Sequence, residues 1–164
     1  MTALIFYKIK LKSFPEIKFA ITVKTDRYKN IITHRKNYIE IGLGSGMEVF
    51  DENTSYIIPN ESFMVFMPDM NLKTKGLKGE TYYSNSVAVK CEFDFERYEI
   101  EDIDSIKKIL EENKNELFLP FYMSLEREYN NLERIFKNLI TQHLKDTAAG
   151  KMQVLSLWCE IVSR

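Results

Sequence analysis

Apolar and polar residues alternate along the first two thirds of the chain, then give way near residue 100 to apolar spacings of three and four. Residues 3–11 alternate until Phe14-Pro15 breaks the run, and residues 17–24 alternate again with β-branched side chains. A third strand is predicted over 37–43, ending at Gly44-Ser45-Gly46, which reads as a hairpin turn into a strand over 47–50. Asp51-Glu52-Asn53 and Pro59-Asn60-Glu61-Ser62 are further turn signals on either side of Tyr56-Ile57-Ile58. The wholly apolar run Phe63 to Met67 closes at Pro68. From Thr81 to Phe95 one long stretch places Val87, Val89, Cys91, Phe93 and Phe95 at period two. Short strands at this spacing predict an antiparallel sandwich or barrel.

Three helices are predicted after residue 100. Asp102 and Asp104 offer capping carboxylates to a short helix that Leu117-Phe118-Leu119-Pro120 interrupts. From Ser124, Leu125, Tyr129, Leu132, Ile135, Phe136, Leu139, Ile140 and Leu144 form one apolar face over about five turns. Ala148-Ala149-Gly150 reads as a break, and a third helix carries Met152, Leu155, Trp158, Ile161 and Val162 on one side. The chain ends at Ser163-Arg164 inside that pattern, which reads as a cut at a domain boundary. The expected organisation is a β-barrel over 1–100 and a helical segment over 101–164 that packs on it, both within one structural domain.

Composition narrows the classes. In 164 residues with 45% hydrophobic and 29% charged content, one folded core is expected and a second would be hard to fill. The lysine-studded N-terminus lacks the unbroken apolar block of a signal peptide. No apolar run nears the roughly 20 residues that cross a bilayer, so a cytoplasmic location with no membrane partner is expected. Cys91 and Cys159 then read as buried, reduced thiols. With 23 basic and 24 acidic residues scattered along its length, the chain has no basic face with which to grip DNA by itself.

His34, the segment Tyr38-Ile39-Glu40-Ile41, the Gly44-Ser45-Gly46 turn, Tyr56-Ile57-Ile58-Pro59 and the apolar strand closed by Pro68 follow in an order that resembles the N-terminal half of AraC-type transcription regulators. The resemblance covers roughly residues 30–164. It implies a mainly β fold, a cupin-like (jelly-roll) barrel that binds a small effector, followed by a short helix and two longer antiparallel helices that dimerise. It also implies a helix-turn-helix domain that reads DNA, for which this chain holds no candidate. The sequence departs from the family in having no glycine in the Pro59-Asn60-Glu61 turn and Asp69-Met70-Asn71 where a histidine often follows the proline.

Candidate chemistry is sparse. A metal-bearing cupin joins two histidines two residues apart, a glutamate about four residues on and a later histidine. Here the first positions read His34, Lys36 and Glu40, and the other histidine, His143, falls on a helix, so no metal, no cofactor and no enzyme activity are expected. His34, Tyr38 and Glu40 share strand parity and are the first candidates to line an effector pocket, with Tyr56, Phe66 and Tyr82 as aromatic walls. The alternative is a satisfied histidine, a surface glutamate paired with Arg35 or Lys36, and aromatics that mostly belong to the core. Gly42, Gly44 and Gly46 lead into a strand, which gives no phosphate cradle. Leu132, Ile135, Phe136 and Leu139 are the candidate dimer surface, with packing inside the chain as the alternative. Two rival functions stay open: a metal-free cupin isomerase with His34 moving the proton, and an oligomerisation domain whose barrel is packed solid.

Overall fold

The computed structural model describes the chain except residues 1–3, 26–29, 33–37, 69, 71, 78, 80 and 164, and the side chains of residues 25, 30–32 and 103. His34 lies outside the described residues. Ten strands come first: β1 (Leu4–Leu11), β2 (Glu16–Thr25), β3 (Asn30–Ile32), β4 (Ile39–Gly44), β5 (Met47–Phe50), β6 (Ser55–Ile58), β7 (Ser62–Phe66), β8 (Lys73–Gly76), β9 (Tyr82–Lys90) and β10 (Phe93–Ile100). They are followed by α1 (Ile103–Glu112), β11 (Leu117–Pro120), β12 (Tyr122–Ser124), a 3-10 turn (Glu126–Glu128), α2 (Tyr129–His143) and α3 (Ala148–Val162).

Among the described residues every strand pair is antiparallel, and most are nested. β5 pairs with β6, β4 with β7, β3 with β8 and β2 with β9, so that the chain runs out and back like one long folded hairpin. Cross-pairs of β4 with β9 and β5 with β8 join these into a five-stranded sheet, β12-β7-β4-β9-β2, and a four-stranded sheet, β3-β8-β5-β6. A third sheet, β10-β1-β11, closes one side.

The glycine turn does not make the expected hairpin. β4 and β5 lie in different sheets, and Gly44-Ser45-Gly46 carries the chain between them. A Cβ on Gly44 would collide with the carbonyl of Tyr83, so the close backbone approach requires glycine there. Ser45 locks the crossing, its N–H and Oγ meeting Tyr83 O and its Oγ accepting from Tyr83 N. In the turn before β7, where no glycine stands, Glu61 itself takes the left-handed backbone at φ 57°.

The segment after residue 100 is not purely helical. Leu117-Phe118-Leu119-Pro120 and Tyr122–Ser124 return to the sheets as β11 beside β1 and β12 beside β7. The stretch from Thr81 also divides, at Cys91-Glu92, into β9 and β10 of different sheets. Asp102 does cap α1, its carboxylate accepting from Ser105 N at 2.7 Å. The second helix starts at Tyr129 instead of Ser124. Ala148-Ala149-Gly150 lies inside the first turn of α3, which Thr147 caps through Gly150 N at 3.0 Å.

α2 lies across β2, β9 and β4 on the outer face of the five-stranded sheet, and α3 packs against α2 and β2. Leu132, Ile135, Phe136 and Leu139, expected to meet a second copy, are therefore buried within their own chain, with exposures of 6%, 3%, 0% and 0%. The outer sheet face is mostly apolar there, with Ile39, Ile41 and Leu43 of β4 on it, and its buried Asn85 accepts from Thr22 at 2.7 Å and donates to the Tyr83 hydroxyl at 3.0 Å. On α3 the buried stripe is Gly150, Val154, Trp158 and Ile161, while Met152 is 70% exposed. The sequence placed Met152 on the buried side. Cys159 is likewise exposed, not buried, and Cys91 is half-buried.

Candidate functional site

The inner face of the five-stranded sheet is set by register. Three rows cross it: Phe19, Ala88, Glu40 and Phe66; Ile21, Ser86, Gly42 and Met64; Val23, Ser84, Gly44 and Ser62. Alternation sends these side chains to one side and Ala20, Val87, Ile41 and Val65 to the other. The small residues Ala88 and Gly42 sit in the middle of the first two rows, between larger side chains on β2 and β7. They leave room over the centre of the sheet.

That room is a cavity of about 220 Å³. Its described lining is Phe19, Ile21 and Val23 of β2, Glu40 of β4, Met64 and Phe66 of β7, and Tyr82, Ser84 and Ser86 of β9, roofed by Met47 and Thr74 of the four-stranded sheet. A Cβ on Gly42 would stand 3.2 Å from Met64 Cγ and 3.6 Å from Ser86 Oγ, so any other residue there intrudes on this space. The four-stranded sheet keeps its charges outside: Glu48 meets Lys75 at 2.7 Å and accepts from Ser55 at 2.9 Å. The Lys75 ammonium and then the Ser55 hydroxyl hold the Glu48 carboxyl below its ordinary range.

Polar groups form a stripe down the centre of the cavity floor. Glu40, Ser84 and Ser86 are all buried, and Thr74 faces them from the opposite sheet. Ser84 Oγ and Ser86 Oγ lie 3.3 Å apart. Two hydroxyls carry two donors, and the bond between them engages one. The flanks are apolar, β2 on one side and β7 on the other.

Three of the six pocket residues expected from the sequence thus meet at the cavity: Glu40, Phe66 and Tyr82. Tyr38 stands one ring behind it, edge-on to Phe19 with centroids 6.0 Å apart. Tyr56 belongs elsewhere. Its ring packs edge-on against Phe121 at 5.3 Å, in a cluster where Phe121 also meets Tyr7, Phe66 and Tyr122. Phe63 and Tyr83 have the opposite strand parity, and Phe93 lies on β10 in the third sheet. Sequence reasoning missed Ser84 and Ser86, although two serines at period two leading into the apolar run Val87 to Val89 are the signal for a polar stripe on a buried face. It also missed Phe19, Ile21 and Val23, which only the β2–β9 register brings to the cavity.

Among the described residues no three of His, Cys, Asp and Glu converge to hold a metal ion. No described helix is long and apolar enough to cross a membrane. No family model matches the chain, and no curated protein sequence is significantly similar to it.

Proposed function

We propose that the chain is the effector-sensing and dimerising domain of an AraC-type transcription regulator, acting in the cytoplasm, with DNA bound by a domain outside this sequence. The nested pairing supports a jelly-roll reading of the barrel, since strand orders 7-4-9-2 and 3-8-5-6 are those of a long hairpin folded into two sheets. One observation carries the sensing role: the barrel is not packed solid. A cavity of about 220 Å³ with a polar floor lies between its sheets, formed where small residues replace large ones. An open, partly polar space between the sheets is where a small occupant would be held.

The effector would bind between the sheets and bias how the barrel sits against α2 and α3, and two copies would transmit that bias to attached DNA-binding units. Because the inner face of α2 is occupied by its own sheet, the second copy would meet α3 on its outward side, where Met152 and Cys159 are exposed. A metabolite screen by thermal shift tests the sensing role, because a ligand that binds only the folded state raises its melting temperature. A hit should vanish in Ser84→Leu, which fills the cavity. Persistence of every hit in that variant, or the absence of any, removes the proposal. Sedimentation of the wild type and Met152→Glu tests the pairing, with the variant expected to be monomeric.

A further inference from the structure

Phe14, Leu144 and Met152 are the most exposed large hydrophobic side chains among the described residues, at 78%, 76% and 70%. They gather at one corner of the molecule. Phe14 and Met152 line a cleft of about 440 Å³ between the start of β2 and the first turns of α3, and Leu144 follows His143, which lines it too. Pro15, Ile17 and Leu155 continue the apolar wall. An exposed apolar patch with a charged rim marks a contact surface. We propose that a second copy of this chain seats here across a two-fold axis, the Phe14 ring of each copy entering the cleft of the other. The proposal rests on reading the chain as a dimerising domain, and it names the surface that pairs.

The backbone on both sides of the cleft is held in place. The loop before β2 is fixed to the β9–β10 turn: Lys12 N–H donates to Glu92 O at 2.7 Å, and the Ser13 hydroxyl accepts from Glu92 N at 2.7 Å. Pro15 limits the backbone behind Phe14. On the other side, Leu144 N–H donates to Ile140 O at 3.2 Å and Lys145 N–H to Gln142 O at 3.1 Å, just ahead of the Thr147 cap on α3. Side chains presented on fixed backbone lose little freedom when a partner buries them. Shape suits a copy of the same chain, because one face carries both a projecting ring and a cleft. A cavity of about 150 Å³ takes up benzene, so this cleft admits a phenyl ring. Charge suits it as well. Glu16, paired with Lys18 at 3.0 Å, stands on the strand side, and Asp146, paired with Lys151 at 3.1 Å, stands on the helix side. A two-fold axis along the cleft lays the strand side of one copy on the helix side of the other. Glu16 then faces the partner's Lys151, and Lys18 faces the partner's Asp146. Exposed ion pairs exchange partners at little cost. A strongly acidic or basic partner would instead meet like charge over half of this rim.

Sedimentation equilibrium of the full chain between roughly 1 and 100 μM tests this, with wild type expected as a dimer that dissociates on dilution. Phe14→Ala should weaken pairing at least about thirtyfold, since each dimer loses the ring twice and each loss is worth about fivefold or more. Its urea unfolding in dilute solution should match wild type, because the ring is exposed in the single copy. Glu16→Lys and Lys151→Glu should each weaken pairing by roughly fivefold, and the double variant should return to within about twofold of wild type. Inside one chain Glu16 pairs with Lys18 and Lys151 with Asp146, so restoration reports contact between copies. A wild type that stays monomeric overturns the inference and the dimerising reading together. Wild-type pairing in Phe14→Ala, or no restoration in the double variant, overturns the inference. If Met152→Glu is monomeric in that case, the dimerising reading stands with a different contact around α3.

Discussion

Truncating Phe136 to alanine asks where the apolar face of α2 is buried. The ring is 0% exposed, in a helix with β2, β9 and β4 below it and α3 beside it. Removing a buried phenylalanine costs about 3–5 kcal/mol, the lost transfer energy plus the cavity left behind. That is a large part of the 5–15 kcal/mol typical of a whole domain. For a chain of this length each kcal/mol is worth roughly 2–4 °C, so the melting temperature should fall by on the order of 10 °C. Urea unfolding followed through Trp158, the single tryptophan and 2% exposed, gives the free energy directly. Asn130→Ala, on the exposed side of α2, should change stability by less than about 0.5 kcal/mol. Intrachain burial makes the Phe136→Ala loss the same at 1 μM and 100 μM protein, taken as roughly dilute and concentrated. Were this face a contact between copies, the loss would depend on concentration, since a hundredfold dilution is worth about 2.7 kcal/mol to an associating species. A loss below about 1 kcal/mol, or one that disappears on dilution, refutes the placement of α2.

Thr147→Ala removes the cap on Gly150 N and should destabilise the chain by about 1 kcal/mol in the same urea assay, with Thr147→Ser close to wild type. Asp51 is held below its ordinary carboxylate range by the N–H groups of Asn53 and Thr54, and Asp102 by the hydroxyl and N–H of Ser105. A depressed carboxyl stabilises fully above its unfolded value, near pH ~4, and loses that contribution as pH falls through its lower folded value. The acid limb of a stability–pH curve should therefore become shallower in Asp51→Asn and Asp102→Asn. Titration with a thiol reagent in native buffer should show one fast and one slow cysteine, because Cys159 is exposed while burial of Cys91 raises its thiol above the ordinary value. Mass mapping should assign the fast site to Cys159.

The strands were legible wherever hydrophobic period and turn residues agreed, as in 3–11, 47–50 and Phe63 to Met67. Period alone could not assign a strand to a sheet, so the Gly44-Ser45-Gly46 crossing read as a hairpin and the stretch after Thr81 as one strand. Leu117-Phe118-Leu119-Pro120 read as a helix interruption because four residues carry too short a pattern to register as a strand, and β11 exists only by pairing with β1. α2 was readable as an amphipathic helix, but nothing in its stripe distinguishes a sheet of the same chain from a second copy. On α3, apolar residues lie on more than one side of the helix, so Met152 and Val154 could not be ranked until packing placed Val154 inside. At the cavity, Glu40 was visible through parity with its neighbours. Its companions Ser84, Ser86 and Ile21 come from strands more than fifteen residues away, and only long-range register unites them.

Methyl-labelled methionine NMR addresses the space between the two sheets most directly. Met47 and Met64 line the cavity, whereas Met123 and Met152 are exposed at 47% and 70% elsewhere on the surface. Saturating the protein with the strongest hit of the metabolite screen should shift the methyl signals of Met47 and Met64 and leave those of Met123 and Met152 in place. Shifts confined to Met123 or Met152, with Met47 and Met64 unmoved, would put the ligand outside the barrel and contradict its role as a sensor.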